Sequence, residues 1–256
     1  MGLIRTAVSL VPTRLRRYCV DFIDTEFRGV PLALRRNPAA ELRASLDMVL
    51  AHYRLSHPDV CYLQIGAFDG MTGDPIYPLI ERHALRGVLV EPQRWAFDQL
   101  KVNYARFGGS RFTFINAAIA ASNGSATLYR VRPVDGDPPW VPQLAGFDRR
   151  VLASHTYLKP DVESRIEAEE VRCLTVSSIL EEAGVERVDL VQIDAEGYDA
   201  ELLRLFDVPS RRPAIIQFEH KHLPRPAHRA AVESLLDVGY RVAIGNGDTL
   251  AYRSED

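Results

Sequence analysis

Cysteine is scarce in this chain, and so are the motifs that usually announce a bound metal or phosphate. The 256 residues include three cysteines, Cys19, Cys61 and Cys173, odd in number and far apart. That usage excludes a disulfide framework and any Cys-x-x-Cys zinc site, and it fits a reducing, cytoplasmic setting. No apolar run approaches the ~20 residues that cross a bilayer, and Met1-Gly2-Leu3-Ile4-Arg5 opens nothing like a secretory signal. Basic excess is missing too. A net charge of -3 argues against a general nucleic-acid binder. Gly-x-Ser-x-Gly and Gly-Lys-Ser/Thr are absent, which removes the usual hydrolase and P-loop readings. Gly66, Gly70 and Gly73 do not form Gly-x-Gly-x-x-Gly, so there is no cradle matched to a pyrophosphate.

What is present is an alternation of short apolar runs and amphipathic stretches. Runs at 62–65, 87–90, 112–115, 188–193 and 214–218 are continuous, as strands covered on both faces should be. Helical stretches at 74–83, 94–107, 176–183, 200–206 and 229–238 lie between or after them. This order implies an α/β fold with a mostly parallel sheet and right-handed crossovers. Residues 126–131 read as a further strand, and 240–244 with 249–252 as a hairpin through Gly245-Asn246-Gly247. Residues 1–57 read as a helical extension ahead of a domain over 58–256. Its first 20 residues carry four arginines and no acid, a pattern for peripheral contact with an anionic membrane face, or for packing on the domain or a second copy of the chain. Residues 132–170 break the alternation. A connection this long suggests a lid, and its Trp140, Phe147, His155 and Tyr157 are candidate acceptor-binding residues.

Three strand ends carry the chemistry. The first, Gln64-Ile65-Gly66-Ala67-Phe68-Asp69-Gly70, brings a glycine turn to the tip of a buried strand, and the next strand ends in Glu91-Pro92. Glycines let backbone approach a ligand, and a lone acid there accepts hydrogen bonds from ribose hydroxyls. The second, Asp194-Ala195-Glu196-Gly197, follows a core strand, where a carboxylate can neutralise a cation, take a proton or ligate Mg²⁺. The third is Glu219-His220: a histidine base with an adjacent acid, or further members of an Asp194–Glu196–Glu219 metal site. Asn116-Ala117 ends the strand at 112–115, where small residues would let an adenine lie against backbone.

Taken together these segments resemble the FkbM-type S-adenosylmethionine-dependent methyltransferases. The matching pieces also include Asn116-Ala117-Ala118-Ile119, the segment from Asp189 to Asp199, Phe218-Glu219-His220 and Gly247-Asp248-Thr249-Leu250-Ala251-Tyr252, all in family order. The resemblance implies a class I Rossmann-like sheet of seven strands with an antiparallel edge hairpin. It implies S-adenosylmethionine as donor and O-methylation of a sugar, glycan or secondary metabolite. Carried over, Gly66, Ala67, Asp69 and Gly70 would flank the methionine portion with Gln64 alongside. Glu91 and Pro92 would hold the ribose, Asn116 and Ala117 the adenine, and Asp194 and Glu196 the transfer end. His220 or Asp194 would be the base. An NAD-dependent oxidoreductase and a non-catalytic scaffold are the alternatives, and the missing pyrophosphate cradle weighs against the first.

Overall fold

The computed structural model describes residues 38–155, 157–158 and 161–253. The arginine-rich first 20 residues, and with them the membrane-contact expectation, lie outside the described residues. Among the described residues no helix is long and apolar enough to cross a membrane.

Helix α1 (Pro38–Tyr53) leads into strand β1 (Cys61–Ile65), helix α2 (Tyr77–His83), β2 (Arg86–Val90), α3 (Arg94–Tyr104) and β3 (Phe112–Ile115). After an intervening region come α5 (Val176–Ala183), β8 (Leu190–Ile193), α6 (Asp199–Phe206), the short α7 (Val208–Arg211), β9 (Ile215–Glu219), α8 (Arg225–Asp237), β10 (Arg241–Ile244) and β11 (Asp248–Tyr252). The seven strands pair in the order β10-β11-β9-β8-β1-β2-β3. All neighbours are parallel except β11, which runs antiparallel to both β9 and β10. This is the mostly parallel seven-stranded sheet with an antiparallel edge pair anticipated above.

The sheet forms because its central strands are largely apolar and sealed on both faces; all five residues of β1 are buried, Gln64 among them. On one face Leu63, Val88, Val191 and Phe218 pack under α5, α6 and α8. On the other, Tyr62, Leu89, Leu190 and Ile215 pack under α1, α2 and α3. Leu46 and Leu50 of α1 are fully buried there, so this part of the N-terminal extension helps close the core. Asp189 ties that helix to the sheet: its carboxylate accepts from Tyr53 Oη and the Cys61 amide, each at 2.9 Å, and from Arg187 at 2.6 Å.

The intervening region, expected to hold one strand and a lid, builds a second sheet instead. β4 (Ala118–Ile119), β5 (Gly124–Val131), β6 (Ala145–Gly146) and β7 (Ile166–Leu174) pair in the order β4-β7-β5-β6. The last residues of the 132–170 segment therefore belong to a nine-residue strand. Between β6 and β7 lies helix α4 (Arg149–Ala153). The segment has its own small core of Val131, Val141, Leu144, Leu152, Leu158 and Val162. Arg165, 1% exposed, pairs with Asp137 and donates to the Arg132 carbonyl at 3.0 Å, which locks the segment to itself.

Candidate functional site

A cavity of about 700 Å³ opens at the carboxyl ends of β1, β2 and β8, beneath the second sheet. In open parallel sheets this is where ligands bind. The strand ends meet tightly. Gly66, at φ +76°, sits so close to β8 that a Cβ there would lie 1.8 Å from the Asp194 carbonyl oxygen. Only glycine permits that approach. The Asp194 amide donates to the Ile65 carbonyl at 3.0 Å, closing the join.

Glu91, 3% exposed, stands at the tip of β2. Its two oxygens accept the amides of Phe68 and Gln93, each at 2.8 Å. Phe68 adopts a positive φ of 48°, which turns its amide towards Glu91. Burial pushes the Glu91 carboxyl up to about 7, and the two amides hold it below where burial alone would set it. Asn116 is placed differently from the adenine contact expected for it. Its side-chain amide donates to the Glu91 and Pro92 carbonyls at 2.8 and 3.0 Å, so it braces the β2 tip without lining the cavity. Ala117 does line it.

Asp69 and Gly70 also support the site from outside the cavity. Asp69 accepts from the amides of Met71 and Thr72 at 2.9 and 2.7 Å, shaping the loop after β1. Gly70 makes room for Leu100 and Tyr104 of α3. The loop then returns to the cavity at Asp74, a residue without an assigned role in the sequence reading.

The β8 tip carries a tight turn with positive φ at Glu196 (50°) and Gly197 (103°). Asp199, fully buried, fixes this turn by accepting from the amides of Ala195 and Gly197 at 3.2 and 3.1 Å. Asp194 and Glu196 both line the cavity. Burial, then the neighbouring Glu219, Asp199, Glu196 and Asp248, raise the Asp194 carboxyl well above its ordinary value. Burial, then Glu196, Asp199 and Asp248 against an opposing pull from Lys221, push Glu219 up to about 8.

His220 does not line the cavity. Thr249 Oγ1 lies 2.9 Å from both His220 Nδ1 and His228 Nε2, and the two imidazoles stack at 4.2 Å. Burial, then His228, lowers His220 to about 4, so this ring is a neutral structural piece. The histidine at the cavity is His222, two residues further on, to which the sequence analysis gave no role. Its Nε2 lies 3.3 Å from Glu196 Oε2 and 3.9 Å from Glu219 Oε2. Burial lowers its pKa, against an upward pull from Glu196. Glu219 thus stands behind His222 rather than in the cavity wall. Glu196, Glu219 and His222 each bring one nitrogen or oxygen atom within 4.8 Å of the others, a grouping among the described residues that leaves out Asp194 and takes in His222 instead.

Of the four expected acceptor residues, Phe147 and His155 line the cavity. Trp140 and Tyr157 are exposed beside it, linked to His155 through ring contacts of 6.2 and 5.7 Å. Phe147 meets Tyr198 of the β8 turn edge-on at 6.4 Å, so the two sheets share an aromatic rim.

Among curated proteins no relative matches the sequence. Similar solved structures are distant: methyltransferase FkbM from Methylobacillus flagellatus KT has 12% identity and a TM-score of 0.47 over 76% of this chain, which spans 44% of that protein. The O-methyltransferase TomG from Streptomyces achromogenes, solved with SAM, has 14% identity and a TM-score of 0.44, with coverage of 83% and 80%. Cofactor-bound Rv0187 from MTB has 14% identity and a TM-score of 0.46, with coverage of 96% and 100%. The sequence family described as the methyltransferase FkbM domain matches residues 64–242, from the β1 strand to β10. That span holds the glycine turn, Glu91 and the Asp194–Gly197 turn, and the chain belongs to the FkbM methyltransferase family.

Proposed function

We propose that the protein is an S-adenosylmethionine-dependent O-methyltransferase acting on a hydroxyl of a sugar, glycan or secondary metabolite. The observation that carries this reading is a histidine, His222, at the wall of a cavity that has the buried acid Glu91 at one end and an aromatic rim at the other, with burial lowering the imidazole's pKa. The residues present fit the donor. Each Glu91 oxygen accepts one backbone amide and keeps lone-pair capacity for a ribose hydroxyl. Ala117 offers a small, flat surface to a base. The sulfonium supplies an already activated methyl group, so the protein's part is positioning and proton removal.

In this reading His222 takes the acceptor's hydroxyl proton and Glu196 orients the imidazole and stabilises its charged form. The carboxylates around Asp194 set a negative potential at the transfer end. Phe147, His155, Tyr157 and Trp140 offer ring faces to the acceptor. Glu196, Glu219 and His222 are the residues that would hold a magnesium ion, which would make an acceptor hydroxyl more acidic.

The test supplies labelled donor to hydroxylated acceptors from a cell extract and follows the mass gain of one methyl. His222→Ala should lose at least about a hundredfold in turnover while binding S-adenosylhomocysteine like the parent. His220→Asn should keep its turnover within about twofold, because that ring lies off the cavity. The reverse pattern would return the base to His220 and defeat the geometric assignment.

A further inference from the structure

Charge of one sign dominates the cavity wall. Asp74, Glu91, Asp148, Asp194 and Glu196 line it, and among the described residues no lysine or arginine does. The arginines of the stretch above the cavity are held by its own acids. Arg149 pairs with Glu163 at 2.8 Å, Arg150 with Asp148 at 2.7 Å, and the buried Arg165 with Asp137. Lys221 is exposed and stands outside the lining.

The backbone turn at the transfer end is closed to anions as well. Amides at a tight turn ahead of a helix are a common site for phosphate. Here those of Ala195 and Gly197 already donate to the Asp199 carboxylate. Asp199 and Glu201 also occupy the first turn of α6. A phosphate or carboxylate entering beside Asp194 and Glu196 would meet like charge in a desolvated site, with no cation to answer it.

Where the cavity meets solvent its collar is apolar. Ten large apolar side chains are exposed among the described residues, and five of them stand here: Trp140, Phe147, Val151, Tyr157 and Tyr198. Phe147, Val151 and Tyr198 line the cavity itself. Trp140 and Tyr157 lie 6.2 Å apart beside it. Exposed apolar side chains scattered singly need no explanation, but a cluster around a cavity mouth marks a surface that a ligand covers.

We propose that the acceptor is electrically neutral: it carries no phosphate or carboxylate, and it lays an apolar face on this collar beside the reacting hydroxyl. The proposal rests on the methylation reading above and narrows its acceptor by charge. A sugar acceptor then reaches the site only after glycosyl transfer has displaced its nucleoside diphosphate. The transfer balances as before: the oxygen–methyl bond forms as the sulfur–methyl bond breaks, the hydroxyl proton passes to His222, and S-adenosylhomocysteine leaves.

The experiment supplies the protein and methyl-labelled S-adenosylmethionine to a heat-treated cell extract. The labelled product is separated on anion and cation exchangers at mildly alkaline pH, and between water and butanol. Label should pass both exchangers and enter the butanol. Retention on either exchanger, or label confined to water, overturns the proposal. The recovered acceptor then serves for kinetics. The double variant Phe147→Ser/Val151→Ser, shown to be folded by circular dichroism, should raise its KM by about tenfold or more. Its affinity for S-adenosylhomocysteine should stay within about twofold of the parent's. An unchanged KM would take the collar out of acceptor binding and overturn the proposal too. If no fraction takes label although the protein binds S-adenosylhomocysteine, the methylation reading itself fails, and this inference with it.

Discussion

Replacing Gly66 by alanine tests the join between β1 and β8. Two costs combine at this position. A residue with a Cβ at φ +76° is strained by about 1–2 kcal/mol. The new methyl group would also lie 1.8 Å from the Asp194 carbonyl oxygen, so backbone must separate by more than an ångström. Such displacement costs about 1–3 kcal/mol, and it strains or breaks the Asp194 amide bond to the Ile65 carbonyl, worth about 1 kcal/mol. The sum is about 4 kcal/mol, a large share of a domain's ordinary stability. Gly73→Ala is the matched control: its φ is +74°, but nothing lies within 4 Å of a Cβ there, so only the first cost applies. Thermal unfolding followed by circular dichroism should show Gly66→Ala melting roughly 12 °C below the parent and Gly73→Ala about 4 °C below. Equal shifts for the two would refute the close-approach argument, since conformational strain alone would then account for both.

Glu91 predicts a pH dependence of donor binding. Its carboxyl is protonated below about 7 in the free protein, whereas ribose hydroxyls favour the ionised acceptor, so binding releases a proton. Affinity for S-adenosylhomocysteine should rise with pH through about 7, and Glu91→Gln should flatten the profile; a parent profile flat from pH 6 to 8 would contradict the role. The same group acts oppositely on the free fold. Its folded value lies above the ordinary 4.5, so its stabilisation is complete below about 4.5 and is lost as pH rises through about 7, by about 3 kcal/mol at most. Melting of the free protein should carry that decline, and saturating donor should reduce it. Asp189→Ala leaves Tyr53 Oη and the Cys61 amide without their buried acceptor and should cost about 3–5 kcal/mol in urea unfolding. A loss under about 1 kcal/mol would show that α1 is held by its apolar contacts alone.

The seven-stranded sheet was legible because its strands are buried on both faces and spell short, mainly aliphatic runs, as in Leu190–Ile193, where Gln192 is the one polar residue. The second sheet was not. In Ile166–Leu174 four charged side chains, Glu167, Glu169, Glu170 and Arg172, interrupt a strand with one solvated face, so the segment reads as loop. The site was legible where backbone geometry dictates residue type, at Gly66 and the Glu196-Gly197 turn. It was obscured where a loop decides which side chain faces inward. His220 follows β9 and turns towards Thr249, while His222 comes round to Glu196. No periodicity distinguishes the two. Asp74 was hidden for a related reason: an acid just before a proline and a helical stretch reads as the start of the helix, and its carboxylate does accept the Ile76 and Tyr77 amides ahead of it. Its second partner, Gln64, is ten residues back and meets it only because the loop folds over.

The electrostatics of the site point in one direction. Asp74, Glu91, Asp194, Asp199 and Glu219 all have carboxyls raised, in each case chiefly by burial. Left charged, they destabilise the free fold, so a ligand that adds positive charge relieves a strain that a neutral ligand leaves in place. S-adenosylmethionine and S-adenosylhomocysteine share ribose, adenine and the amino-acid end and differ at the sulfur, by the methyl group and the positive charge it brings. Contributions from the shared parts, Glu91 included, cancel in the ratio of their affinities. The methyl contact does not depend on pH, so any pH dependence of the ratio reads the field at the sulfur from Asp194, Glu196 and Glu219. As pH rises from about 6 to about 8 and Glu219 ionises near 8, that ratio should move in favour of the methylated donor. A ratio constant across this range would mean that the acid cluster does not face the sulfur. Asp194 would then have to be removed from the transfer end, even with donor binding intact.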